Sequence, residues 1–368
     1  MVPKMRLSIG GCLFLKERTP PMLTSIHIQG FKGFKDTLIA PMRKVNLILG
    51  GQNVGKTSLL EAVYFGASNV GNVQSLPAVF RLAEGNDTQR FIDMTFKGVR
   101  GTIDLEFDLE LVLPASFEHE EDEQVHATLT TLINTSQTMA DTDTRKGVTG
   151  IGFDGVMFYQ LVESNTLFRM PSGAAPNTSE LFQYPLAISV NPPSQLNAVQ
   201  LFDRVVLKRK KRALVDSLRR IEPRLEDMHS LSPDGELRVY LELEGQANAV
   251  PLPQLGHGFS RLLYLYCGLL VTEAKLALID EVENGIHFAS LPTLFKGIQD
   301  MAVNQGIQTL MTTHSWECIR AAYKTFADAD SLQDFQLIRL ERDGDNVRAV
   351  VINDEALDTV MEAGYEVR

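Results

Sequence analysis

Residues 50 to 57 read Gly50-Gly51-Gln52-Asn53-Val54-Gly55-Lys56-Thr57, the spacing G-x-x-x-x-G-K-[ST] of a phosphate-binding loop. Such a loop constrains the fold because it works between a strand and a helix. Here the apolar run Val45-Asn46-Leu47-Ile48-Leu49 leads in, and Ser58-Leu59-Leu60-Glu61-Ala62-Val63-Tyr64-Phe65 leads out with helical spacing. Glycines let the backbone N–H groups wrap a phosphate, and the helix N-terminus adds a partial positive charge. The eight loop residues and Ser58 are therefore expected to line the phosphates. Lys56 is expected to reach the β- and γ-phosphates, and the Thr57 hydroxyl to hold Mg²⁺.

At 368 residues the chain has room for two domains, or for one large α/β domain with insertions. Hydrophobic content of 44% and charged content of 22% are ordinary for a globular protein with a sizeable core. The net charge of −11 argues against indiscriminate nucleic-acid binding by the whole surface. Cys12, Cys267 and Cys318 are too far apart for a disulfide framework or a zinc pattern, which fits a reducing cytoplasm. No apolar run approaches the roughly 18–20 residues of a membrane span. Lys4 and Arg6 precede an apolar stretch, Leu7 to Leu15, with a faint lipoprotein-like Ile9-Gly10-Gly11-Cys12. That stretch is short and broken by glycines, so the expectation is a cytoplasmic chain whose folded part starts near Met22.

Leu23 to Gln29 alternates like a strand, as do Phe91 to Phe96 and Thr102 to Leu111, which read as antiparallel strands. The acidic run Glu118-His119-Glu120-Glu121-Asp122-Glu123 opens a Thr/Ser-rich stretch that includes Val156-Met157-Phe158-Tyr159. This reads as an inserted subdomain of strands and loops. Ala198 to Met228 reads as a helical region stopped or kinked at Pro223, carrying Lys208-Arg209-Lys210-Lys211-Arg212. Leu237 to Leu243 is a predicted strand and Leu262 to Ala274 a buried helix. Leu276 to Ile279 and Thr309 to Thr313 are buried strands, each preceded by a helix. Asp343-Gly344 between Leu337–Leu340 and Val347–Ile352 signals a hairpin. The plan divides as 1–21 extension, 22–113 N-terminal lobe, 114–185 insertion, 186–325 C-terminal lobe and 326–368 terminal hairpin and helix. Strands alternating with helices imply a parallel sheet with its site at the strand carboxyl ends.

A phosphate loop needs a second metal ligand and a group that activates water. Asp280-Glu281, directly after the buried run Leu276 to Ile279, offers both. Asp280 reaches the sheet edge, where a carboxylate can hold Mg²⁺. Glu281 can polarise an attacking water, a contribution of about 10²–10⁴-fold for a well-placed base. His314 in Thr312-Thr313-His314-Ser315 would face the same crevice. Leu255-Gly256-His257-Gly258-Phe259-Ser260-Arg261 places two glycines at a helix start, where N–H groups can meet an anion.

In this order the four elements resemble the ABC-type ATPase fold of the SMC/RecF/OLD group. They are most similar to small bacterial stand-alone AAA-family ATPases found in anti-phage defence systems. Ile28-Gln29-Gly30-Phe31-Lys32-Gly33-Phe34-Lys35 resembles the opening strand and loop of that group, which implies that Lys32 lies near the nucleotide. Gly50 to Thr57 matches the Walker A loop, and Leu276 to Glu281 the Walker B strand with its catalytic glutamate. Glu283 to His287 falls in the D-loop region, and His314 matches the switch histidine. The resemblance covers roughly residues 22–110 and 186–325. It implies an α/β fold: an ABC-ATPase-type P-loop domain with mixed or antiparallel N-terminal strands, a parallel-sheet core and an inserted subdomain.

Two features depart from the family. Gly256 stands where the signature serine is usual, although the N–H groups of Gly256 and Gly258 remain for a phosphate. The glutamine loop has three possible residues, Gln89, Gln160 and Gln195. Fewer than about 100 residues are free for helical arms, which limits them to about 75 Å. Pro171, Pro176, Pro185, Pro192 and Pro193 argue against even that length. Too few residues follow the histidine region for a toprim-type nuclease.

The resemblance implies Mg²⁺-dependent ATP hydrolysis at a composite site. Lys56, Thr57, Asp280, Glu281 and His314 of one copy would be closed by Gly256 and Gly258 of another, with the output passed to a separate effector. Two rivals stay open. One is an ATP-binding scaffold with little turnover, motivated by Gly256. The other is a repair or recombination ATPase of RecF type, which needs the basic run 208–212 to bind nucleic acid. A GTPase is disfavoured because no Asn-Lys-x-Asp base-reading motif occurs.

Overall fold

In the computed structural model the residues described are 16–67, 101–112, 123–134, 148–153, 156–164, 187–190, 195–233 and 235–363. In chain order the elements open with β1 (Lys16–Phe31), β2 (Phe34–Ile39), β3 (Val45–Gly50) and α1 (Lys56–Ala67). Then come β4 (Gly101–Val112), β5 (Glu123–Asn134), β6 (Val148–Phe153), β7 (Val156–Ser164) and β8 (Ala187–Val190). Next are α2 (Gln195–Leu207), α3 (Lys211–Arg219), β9 (Leu225–Leu231), β10 (Arg238–Leu243), β11 (Val250–Pro251) and α4 (His257–Thr272). Last come β12 (Leu276–Ile279), α5 (Leu291–Asn304), β13 (Gln308–Thr312), α6 (Trp316–Asp328), β14 (Phe335–Asp343), β15 (Asn346–Ile352) and α7 (Asp354–Ala363).

The core is a six-stranded sheet in the order β15-β14-β3-β13-β12-β8. Five of its strands are parallel, and β15 closes one edge antiparallel to β14. Both faces are covered, so its central strands are apolar runs without alternation. Period 2 nevertheless sorts their side chains. Leu276 and Leu278 pack with α1 and the N-terminal strands. Ala277 and Ile279 pack with α4, α5 and α6 on the other side.

The second sheet, β2-β1-β4-β5-β7-β6, is antiparallel throughout and lies over α1. Gln308 at the start of β13 ties it to the core, accepting from the Leu23 N–H and donating to the Leu23 carbonyl, both at 2.8 Å. A small third sheet, β11-β10-β9, packs beside α2 and α3.

Several sequence expectations change here. The strand expected over Leu23 to Gln29 spans Lys16–Phe31, so it begins ahead of the folded part expected from near Met22. The stretch read as an inserted subdomain supplies β5, β6 and β7, of which β5 pairs with β4, β7 with β5 and β6 with β7. A boundary at 113/114 therefore runs between paired strands. The helical region expected over 198–228 ends at Arg219, and Leu225–Leu231 is a strand. Its α2–α3 break falls at Lys208 to Lys210, where Arg209 has φ 58°. Pro223 belongs to the turn into β9. The strand expected over 91–96, the acidic run through Asp122 and Gln89 lie outside the described residues.

The three lysines of the basic run bond to neighbouring elements, whereas Arg209 and Arg212 are exposed. Lys208 donates to the Val271 carbonyl at 2.7 Å and Lys210 to that of Leu270 at 3.0 Å, while Lys210 also pairs with Glu273. These are terminal carbonyls of α4, which has no basic residue of its own in its last turn. Cations here complement the helix dipole. Lys211 binds Asp227 at 2.8 Å.

Candidate active site

Three adjacent parallel strands end on one edge of the core sheet. β3 runs into the phosphate loop, β12 into Asp280-Glu281, and β13, between them, into Thr313-His314. Register places Thr312 opposite Ile48 on one side and just past the Met311–Ile279 pair on the other. Thr312 therefore sits between the loop and the acidic pair.

The loop needs its glycine at position 50. Gly50 has φ 143°, and a Cβ there would lie 2.6 Å from the Leu340 carbonyl oxygen and 2.8 Å from Val54 Cγ1. Gly55 (φ 112°) and Asn53 (φ 58°) also take conformations unusual for L-residues. Val54 is buried and anchors the loop into the α1 side of the core, whereas Gly51, Gln52 and Asn53 are exposed along its crest. Ser58 is half-buried in the first turn of α1.

Lys56 is buried, with its ammonium donating to the carbonyls of Gly50 at 2.7 Å and Gly51 at 2.9 Å. Its Nζ is also 3.2 Å from His314 Nδ1. When Nδ1 accepts this proton, the neutral ring carries its own on Nε2. Thr57 Oγ1 donates to the Asp280 carboxylate, 2.9 Å from Oδ2, and Thr312 Oγ1 donates to Oδ1 at 2.6 Å. A hydroxyl and a carboxylate oxygen at that spacing form a hard, all-oxygen donor pair of the kind Mg²⁺ takes.

Glu281 is exposed and sits at φ 46°, in the left-handed region. For a residue with a Cβ this costs roughly 1–2 kcal/mol. Its N–H donates to Thr312 Oγ1 at 2.8 Å, and the Val282 N–H to the Thr312 carbonyl at 2.9 Å. Those two bonds hold the turn that sends the Glu281 carboxylate outward. The next acidic residue, Glu283, accepts the His314 N–H at 2.8 Å.

The signature segment opens α4. Gly256 caps it with φ 87°, and Gly258 is pressed against the Ser290 backbone, whose oxygen would be 2.7 Å from a Cβ. Among the described residues the Gly256 backbone bonds to Pro253 and Ser260. Lys32 reaches Glu61 of α1 rather than the loop, with its ammonium 5.5 Å from the Phe31 ring centre. The expectation that Lys32 lies beside the nucleotide thus meets a carboxylate already paired with it. Of the possible glutamine-loop residues, Gln160 is in β7 and Gln195 begins α2.

Sequence reasoning did not assign Thr312, Glu283, Glu61 or Arg261. Thr312 had a signal, because it immediately precedes the histidine pair Thr313-His314. The others depend on contacts between distant segments.

Two family models match the chain, one described as "AAA domain, putative AbiEii toxin, Type IV TA system" over residues 176–319 and one as "AAA domain" over residues 25–184. An "ATP/GTP phosphatase" of Helicobacter pylori is 24% identical over 366 residues, covering 88% of this chain and 93% of that protein. Among solved structures, an SMC head bound to the C-winged helix domain of ScpA superposes with a TM-score of 0.50 at 13% identity. That likeness covers 92% of this chain and 99% of the other, and it shows the fold. The chain thus carries AAA-domain matches that together span residues 25–319, on the fold of an SMC head, and it is an ATPase. In this ATPase the two family matches meet within the 176–184 overlap, so the Walker A half and the Walker B half each carry their own. No described helix is long and apolar enough to cross a membrane.

Proposed function

We propose that this ATPase works as a nucleotide-driven switch whose complete site needs two copies of the chain. The observation that carries the reading is the Asp280 carboxylate, held between Thr57 and Thr312 at the meeting point of three strand ends. In the proposed reaction Lys56 and the loop N–H groups bind the β- and γ-phosphates. Thr57 and Asp280 would hold Mg²⁺, which neutralises charge on the phosphate oxygens. Glu281 orients and polarises the attacking water, and the His314 Nε2–H is offered to the γ-phosphate edge. Gly256 and Gly258 of a second copy would close the site with backbone N–H groups at the start of α4.

The composite arrangement is supported by the position of the signature segment, whose backbone bonds run to Pro253 and Ser260 and not to the phosphate loop. Output to a separate effector in phage defence is supported by the 176–319 family model, whose description names a toxin of a type IV toxin–antitoxin system. The commitment of Lys208, Lys210 and Lys211 to α4 and Asp227 weighs against a nucleic-acid reading of the basic run.

Phosphate release and size-exclusion chromatography test the proposal together. Glu281→Gln is expected to keep ATP and stay assembled while turnover falls about 10²–10⁴-fold. Lys56→Ala is expected to bind ATP poorly. Wild-type turnover in Glu281→Gln would overturn the base assignment. A Glu281→Gln protein that stays monomeric with ATP and Mg²⁺ would overturn the two-copy site.

A further inference from the structure

The helix that opens with the signature glycines carries a charge without a partner. Arg261 is 3% exposed, and its Nε, Nη1 and Nη2 atoms all lack a hydrogen-bond partner. Burial lowers the guanidinium to about 10, against the pull of Tyr264, Glu283 and Asp280, so it stays charged at neutral pH. Native proteins seldom keep a buried charge unsatisfied, because the desolvation has nothing to offset it.

A second orphan, of opposite sign, is near enough for its charge to be felt at Arg261. Glu283 Oε2 is buried without a partner, while its Oε1 accepts the His314 N–H. Glu283 sits in the tight turn after Glu281, where the Ile286 N–H returns to the Glu283 carbonyl at 2.9 Å. A cavity of 340 Å³ lined by α2, β10 and the start of α4 takes in Ser260 and Arg261 and also Asn284, Gly285 and Ile286, the residues that follow Glu283. It leaves the two segments room to shift against each other.

We propose that Arg261 and Glu283 are the two halves of an ion pair that closes when nucleotide assembles the ATPase, and that Arg261 is a positioning residue for catalysis. The contacts form one path. Lys56 meets His314 at 3.2 Å, the His314 N–H binds Glu283, and Glu283 would meet Arg261, five residues along from Gly256. Nucleotide on a subunit's own Lys56 would thereby set the signature helix that the same subunit offers to its partner. A guanidinium–carboxylate fork is directional enough to fix a helix in this way. The pair gives the switch a route for cooperativity between its two sites. The inference rests on the two-copy site proposed above.

The test uses the full chain. Arg261→Met removes a charge that the free protein leaves unpaired, so the melting temperature without nucleotide should hold or rise. ATP-driven assembly should nevertheless weaken about 5- to 150-fold, the usual span of a coupling between sites. Glu283→Gln keeps an oxygen for the His314 N–H and should show the same loss of assembly and of cooperativity in ATP hydrolysis. The double variant should be no worse than either single one, since both remove one interaction. Additive losses in the double variant, or a melting temperature that falls in Arg261→Met while assembly is unchanged, would overturn the pair. If Glu281→Gln assembles with ATP and the cycle is additive, the pair alone fails. If Glu281→Gln does not assemble, the two-copy site fails first.

Discussion

Asp280 receives hydroxyl protons from two directions, Thr57 on the loop helix and Thr312 on the neighbouring strand. Thr312 spends its oxygen twice, because it also accepts the Glu281 N–H. One hydroxyl thus orients the carboxylate and pins the strained turn that aims Glu281. Thr312→Val keeps the shape and β-branching of the residue, so the buried strand should fold unchanged. Turnover and Mg²⁺ affinity should each fall about 10–100-fold, as for other groups that orient metal ligands. Phosphate release measured across a Mg²⁺ titration checks this, and an unaltered titration curve would remove Thr312 from the site. The sequence marks Thr312 as a strand end, but its role needs Asp280 on the adjacent strand.

At the scale of elements, the end of α4 is completed from far away in sequence. Glu273 takes a left-handed C-cap conformation, and the carbonyls of Leu270 and Val271 receive Lys210 and Lys208 from the α2–α3 break. The run 208–212 leaves a nucleic-acid contact open in sequence, where a charge cluster is visible and the acceptors of its lysines are not. Replacing Lys208 and Lys210 by alanine should cost on the order of 0.3–1 kcal/mol per lysine, the usual worth of a cation at a helix C-terminus. Urea unfolding measures that loss. DNA binding at low salt should be the same before and after the change, and a large drop in it would restore the nucleic-acid reading. The same blindness produced the expected long helix over 198–228, since the apolar residues Leu225 and Met228 fit a helical face as well as the strand they occupy.

Across the whole molecule, three helices meet at Asp300. Its carboxylate, 4% exposed, accepts from Arg220 at the end of α3 and Tyr266 of α4, both at 2.8 Å, and from Asn304 at 2.8 Å and Gln305 at 3.0 Å. Burial pushes the Asp300 carboxyl up, but the bond from Arg220 and those from Asn304, Tyr266 and Gln305 together bring it below its ordinary value. A lowered folded value stabilises above the unfolded carboxylate range and is lost as pH falls through the lowered value. Asp300→Asn should therefore cost about 1–3 kcal/mol at neutral pH. It should also flatten the fall in melting temperature below about pH 4, near the unfolded value of an aspartate. An acid limb as steep as in the unaltered protein would count against this network. The sequence alone determined the local units: the strand–loop–helix at 45–65, the buried strand before Asp280-Glu281, the strand before His314 and the closing hairpin. Each follows from periodicity, glycine placement and turn chemistry within a few residues. Only the tertiary structure decided that β13 lies between β3 and β12, that β5 to β7 extend the N-terminal sheet, and that Arg261 and Glu283 Oε2 are both buried without a hydrogen-bond partner. Those facts depend on strand order and packing between distant segments, for which a single sequence carries no local signal.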